Sequence, residues 1–156
     1  MSEEFTEIDK SRLIIPGLER VYRRLAPLSY ALVRVATAIL LIPGGYEKLF
    51  RGGAYRIAAG NIVKVGVEPA LAWAWAVGCT EFFGAILLAI GLWTRPAAFA
   101  LVLLLATITF RVRWDAGYFW KATGWEVTLL LALICLAYVF GGGGRYSLDR
   151  RFGREF

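Results

Sequence analysis

Four stretches of the chain are apolar over a length close to that of a bilayer crossing, and polar residues collect between them. They run from about Leu28 to Pro43, with a continuation through Gly44-Gly45 to Phe50, then from Pro69 to Trp93, Pro96 to Trp114 and Trp125 to Phe140. About 20 residues of helix match a hydrocarbon core of roughly 30 Å, so each stretch reads as a transmembrane helix. Pro69 suits the first turn of a helix, and Thr94-Arg95-Pro96 is a turn short enough to make the third helix antiparallel to the second. Arg51 to Val67 is polar enough to read as a loop, and the glycines Gly141 to Gly144, poor helix formers, stop the fourth helix. Ahead of the first span, Leu18, Val21, Tyr22 and Leu25 follow helical spacing while Glu19, Arg20, Arg23 and Arg24 take the other face. That pattern predicts an amphipathic helix lying on anionic headgroups, or an arm packed on protein, with Pro27 as a break. The expected fold is all-α: a four-transmembrane-helix bundle over 28–144, preceded by an interfacial N-terminal arm, 1–27, and followed by a basic tail, 145–156.

Composition agrees with the pattern. Hydrophobic residues make up 58% of the chain, above the roughly 45–50% of a soluble domain, and the mean hydropathy is +0.58. A length of 156 residues leaves room for one domain. The net charge of +6 would suggest nucleic acid in a soluble protein, but these basic residues flank apolar runs, so membrane lipids are the expected partner and nucleic acid is not. The opening Ser2-Glu3-Glu4-Phe5-Thr6-Glu7 is acidic and unlike a cleaved signal, so the first span is expected to be retained. Four spans place both termini on one side. Apart from Arg34, ten Lys and Arg residues fall on that side and seven on the other, which favours cytoplasmic termini in a bacterial inner membrane. Histidine is absent and Met1 is the only methionine, so neither a haem nor a copper site is expected within this chain and no intrinsic cofactor is assigned. Cys79 and Cys135 lie inside apolar runs without CxxC spacing and are expected to be buried thiols, with no metal site.

Two charges interrupt the apolar runs. Arg34 and Glu81 have opposite sign, and each has small residues three or four positions away: Ala31, Thr37 and Ala38 beside Arg34, Ala74, Gly78 and Ala85 beside Glu81. Small faces let helices approach closely, so both charges should point into the bundle and form a buried ion pair. The pair either fixes helix register or serves as a mid-membrane proton or substrate site. A second set of charges lies near the opposite ends of the helices: Glu47 and Lys48 close the first span, Arg111 and Arg113 the third, and Glu126 opens the fourth. Interfacial capping accounts for Glu126 at a helix start. The alternative is a quinone or lipid-headgroup site formed by Lys48, Arg111 and Glu126, with Tyr46 and Trp125 among its aromatic walls.

The order of these elements resembles the DoxX family of four-helix membrane proteins. The residues that carry the resemblance are Arg34, the closing Gly45-Tyr46-Glu47-Lys48-Leu49-Phe50, the run from Glu81 to Leu92, Thr94-Arg95, Glu126, and Gly142-Gly143-Gly144-Arg145-Tyr146-Ser147-Leu148-Asp149. The family includes the small membrane subunit of thiosulfate:quinone oxidoreductase, and other members are associated with membrane-bound redox assemblies. The resemblance implies an accessory subunit of a quinone-linked redox complex, with other membrane or redox subunits as partners. A purely structural anchoring or bridging subunit and a small transporter are the alternative readings.

Overall fold

A computed structural model describes residues 14–153. The acidic opening, the first part of the expected arm and the last three residues lie outside the described residues. Among those described there are helices and no strand. After a 3-10 turn at Pro16–Leu18 come α1 (Glu19–Phe50), α2 (Gly53–Ile57), a π-helical turn at Ala58–Ile62, α3 (Val63–Val65), α4 (Ala70–Ile90), α5 (Thr94–Thr107) with a π-helical extension at Ile108–Val112, α6 (Glu126–Gly141) and α7 (Leu148–Phe152).

Three helices are long and apolar enough to cross a membrane: Glu19–Phe50, Ala70–Ile90 and Thr94–Val112. The 16-residue α6 is apolar but shorter. It packs along α5, and its start and end are tied to opposite ends of the bundle. Thr109 Oγ1 meets Thr128 Oγ1 at 3.1 Å, while the Tyr138 hydroxyl donates to the Tyr30 carbonyl at 2.8 Å. The core between the four helices is built from Leu41, Leu88, Leu101, Leu105, Leu131 and Tyr138, with alanines between them. Outward faces carry large apolar side chains such as Leu32, Leu40, Phe83 and Leu133, as contact with lipid tails requires.

Two expectations change. The helix does not break at Pro27, nor at Pro43: α1 runs through both prolines as one helix of 32 residues. At 1.5 Å per residue it is about 48 Å long, more than the hydrocarbon thickness, so the amphipathic stretch is the projecting first turns of α1 and not a separate interfacial helix. The segment after Phe50 is not a loop. It forms the short helical excursion α2 to α3, and Ala54, Ala58 and Ala74 pack it against α4.

Candidate functional site

The antiparallel register of α1 and α4 decides which charges meet. Gly45 packs so closely on α4 that a Cβ there would lie 2.5 Å from the Phe82 backbone nitrogen, and a Cβ on Gly44 would lie 2.5 Å from Glu81 Oε1. Gly78, in turn, faces Lys48 and Leu49. With the helices held at glycine distance, Lys48 reaches one turn back along α1 to the Gly44 carbonyl at 3.2 Å and across to the Glu81 carboxylate, forming a hydrogen-bonded ion pair. The Glu81 side chain is only 10% exposed and that of Lys48 18%, so two opposite charges stabilise one another in a poorly hydrated setting.

Arg34 does not take part, which corrects the expected Arg34–Glu81 pair. A Cβ on Gly91, at the end of α4, would stand 2.6 Å from the Arg34 guanidinium, so Arg34 lies level with Gly91 while Glu81 lies level with Gly44. Ten residues of helix, about 15 Å, separate the two levels. Arg34 is 2% exposed and donates to the carbonyls of Gly143 and Tyr146. These carbonyls belong to the segment after α6, which folds back across the helix ends. There the Tyr30 hydroxyl donates to Gly142, and Asp149 accepts from Trp93 N at 2.7 Å, Thr94 N at 2.8 Å and Thr94 Oγ1 at 2.7 Å. Asp149 thus serves from 55 residues away as the N-cap that α5 lacks locally, and its own N–H donates to the Gly91 carbonyl. Gly91 has φ +69°, which turns the chain from α4 into α5 and leaves room for Arg34. This clasp joins all four long helices at one end. The sequence pattern shows here a glycine stop, a basic tail and the closing stretch of the family resemblance, but no clasp; the signal for one was Asp149, the one carboxylate between Glu126 and Gly153.

At the other end, Lys48 opens onto a cavity of about 440 Å³ between α1, the α2–α3 excursion, α4 and α5. Its wall is largely aliphatic, with Ile57, Ile62, Val77, Leu104 and Ile108, while Glu47, Lys48, Arg56, Asn61 and Arg113 supply polar groups and Trp73 an indole. Arg56 pairs with Glu47, and Arg113 lies over the Trp120 ring at 4.8 Å and reaches the Gly124 carbonyl at 3.4 Å.

Of the residues expected to form the ligand site, the structure brings only Lys48 to this cavity. Arg111 is exposed on the π-helical turn and does not line it, whereas Arg113 does. Glu126 sits in the first turn of α6, where the macrodipole favours it. Tyr46 turns to the outside and packs on Phe50 and Phe82 at ring distances of 5.1 and 6.4 Å. Trp125 stacks on Trp114 at 5.3 Å and meets the edge of Tyr118 at 5.0 Å. Arg56 and Asn61 were missed because the segment was read as a loop; the spacing of Ile57, Asn61 and Val65 along one face was the available signal. Cys135 is buried, but Cys79 lies on the exposed face of α4.

Long apolar helices, lipid-facing side chains and charges confined to the interior or the ends define a small all-helical membrane protein. The DoxX family model matches residues 29–114, more than half of the chain, and the chain belongs to that family. An uncharacterised protein of Haemophilus influenzae is 36% identical over 133 residues, covering 83% of this chain and 94% of its own. An uncharacterised membrane protein of Mycobacterium tuberculosis is 26% identical over 152 residues, 90% of this chain and 91% of its own. No solved structure matches.

Proposed function

We propose that the protein is a membrane subunit of a quinone-linked redox assembly and that it holds a quinone-class amphiphile in the cavity beside Lys48. The observation that carries this reading is the cavity's composition: aliphatic walls of ligand size, with a half-buried, paired ammonium at one side and Arg56, Arg113 and Asn61 as further polar lining. Ligand sites commonly span about 300–1,000 Å³ with a few convergent polar groups, and this one lies within that range. A quinone presents two carbonyl oxygens on an apolar ring, and Lys48, Arg113 and Asn61 supply donors where Ile57, Ile62, Leu104 and Ile108 receive the ring and tail. When bound, the quinone supplies two-electron redox chemistry, and the electrons come from a partner subunit. The chain's own residues bind and orient. Lys48 offers an N–H to the ligand while Glu81 holds its charge and position, and the α1–α4 glycine contact keeps that pair from water.

In the same reading α6 is a fourth span. The clasp supports it, because the end of α6 returns to the level of the α4–α5 turn, and both termini then lie on one side, assigned here to the cytoplasm. The test is quinone reduction in native membranes at equal assembled protein, comparing wild type with Lys48→Gln and Arg113→Gln. Loss of activity in both variants with the complex intact supports the proposal; full activity in both overturns it in favour of a structural anchor.

A further inference from the structure

A second concave site lies at the clasp end, away from the cavity. Arg145, Arg150 and Arg151 surround an open groove of about 540 Å³ together with Tyr146, Leu148 and Ile90. Among the described residues, three arginines line it and no carboxylate does. Asp149, the acid between Arg145 and Arg151, is 5% exposed and has both oxygens engaged by Trp93 and Thr94, so its carboxylate belongs to the clasp and does not line the groove. Ile90 is the last residue of α4, a helix of membrane-crossing length, which sets the groove where hydrocarbon gives way to headgroups. Ile90 and Tyr146 are 42% and 53% exposed, so an apolar edge stands directly against the guanidinium groups.

We propose that this groove binds the phosphate of an anionic phospholipid, with the arginines on the headgroup and the acyl chains descending past Ile90 along α4. Guanidinium groups bind phosphate oxygens through paired, charge-assisted hydrogen bonds. A free phosphate ion would use the same arginines, but it would make no use of Ile90, Leu148 and Tyr146. The lipid ties the C-terminal clasp to the membrane surface, independently of what the cavity at the other end holds.

The test uses the purified full-length chain in neutral detergent. It is titrated with short-chain phosphatidylglycerol, with phosphatidylcholine of the same chain length, and with inorganic phosphate, and lipid retention is read by native mass spectrometry. Each basic residue near a membrane surface contributes about fivefold to anionic-lipid affinity. Arg145→Gln and Arg151→Gln should therefore each weaken phosphatidylglycerol binding about fivefold and the double variant about 25-fold. Phosphatidylcholine binding should be unchanged, and the charge-matched control Arg51→Gln/Lys64→Gln should bind like wild type. The single variants replace exposed side chains, so they keep the test decisive if the double variant does not fold. Equal phosphatidylglycerol binding in wild type and single variants overturns the proposal. So does displacement of the lipid by inorganic phosphate at equal concentration, which would assign the groove to the free ion.

Discussion

Replacing Asp149 by alanine should loosen the whole bundle although the residue lies near the end of the chain. Its carboxylate accepts three hydrogen bonds of 2.7–2.8 Å from Trp93 and Thr94, and Thr94 is fully buried. Removing an N-cap acid costs about 0.5–2 kcal/mol, and a buried donor left without a partner costs about 1–3 kcal/mol. Because these effects overlap at the same N–H groups, the expected loss is about 2–4 kcal/mol, larger than a surface substitution produces. Asp149→Asn retains one acceptor oxygen and should fall between wild type and alanine. The assay is unfolding in mixed micelles with rising SDS fraction, followed by circular dichroism, with exposed Asp115→Ala as the control. An Asp149→Ala midpoint equal to that of Asp115→Ala would refute the cap.

The Lys48–Glu81 pair predicts non-additivity: Lys48→Met strands the buried Glu81 carboxylate and should cost about 3–5 kcal/mol, Glu81→Gln strands the half-buried ammonium and should cost less, and the double variant should cost less than the sum. The same micelle titration checks it, and additive losses would contradict the pairing. Gly45→Ala should force α1 and α4 apart, since the added carbon would lie 2.5 Å from backbone, whereas Gly60→Ala, with nothing within 4 Å, should be nearly neutral; cross-linking of cysteines placed on the two helices reads the separation. Arg34→Lys should lower stability despite the retained charge, because a single ammonium cannot reproduce the guanidinium bridge to Gly143 and Tyr146; a midpoint equal to wild type would show that the fork geometry is not used.

Much of the architecture was legible because a bilayer imposes a length on every apolar run. The long helices and the small faces around Glu81 follow from that constraint and from residue size; a tight turn between the second and third helices was also expected, but it falls at residues 91–93, and Thr94-Arg95-Pro96 is the first turn of α5. What composition could not supply was register. Arg34 and Glu81 each lie within an apolar run, yet Arg34 stands sixteen residues before the end of α1 and Lys48 only two, and in an antiparallel pair that distance decides the partner. Burial of Arg34 was readable; its partners were not, because they are backbone carbonyls of Gly143 and Tyr146, which carry no side-chain signature. The cavity was half legible for a similar reason. Lys48 sits on a helix whose position was clear, whereas Arg56 and Asn61 belong to short helical turns held by contact with α4 and not by their own propensity.

The cavity beside Lys48 can be tested without any partner subunit. A short-chain quinone is titrated into the purified full-length chain in neutral detergent, and the bound fraction is measured at equilibrium for wild type and for Ile62→Trp, which places an indole in the cavity from its partly buried wall. A quinone held in this cavity requires one saturable site per chain in wild type and affinity weakened at least about tenfold in Ile62→Trp, the result of filling a site of this size. Equal quinone binding by both proteins, with both folded, would contradict it.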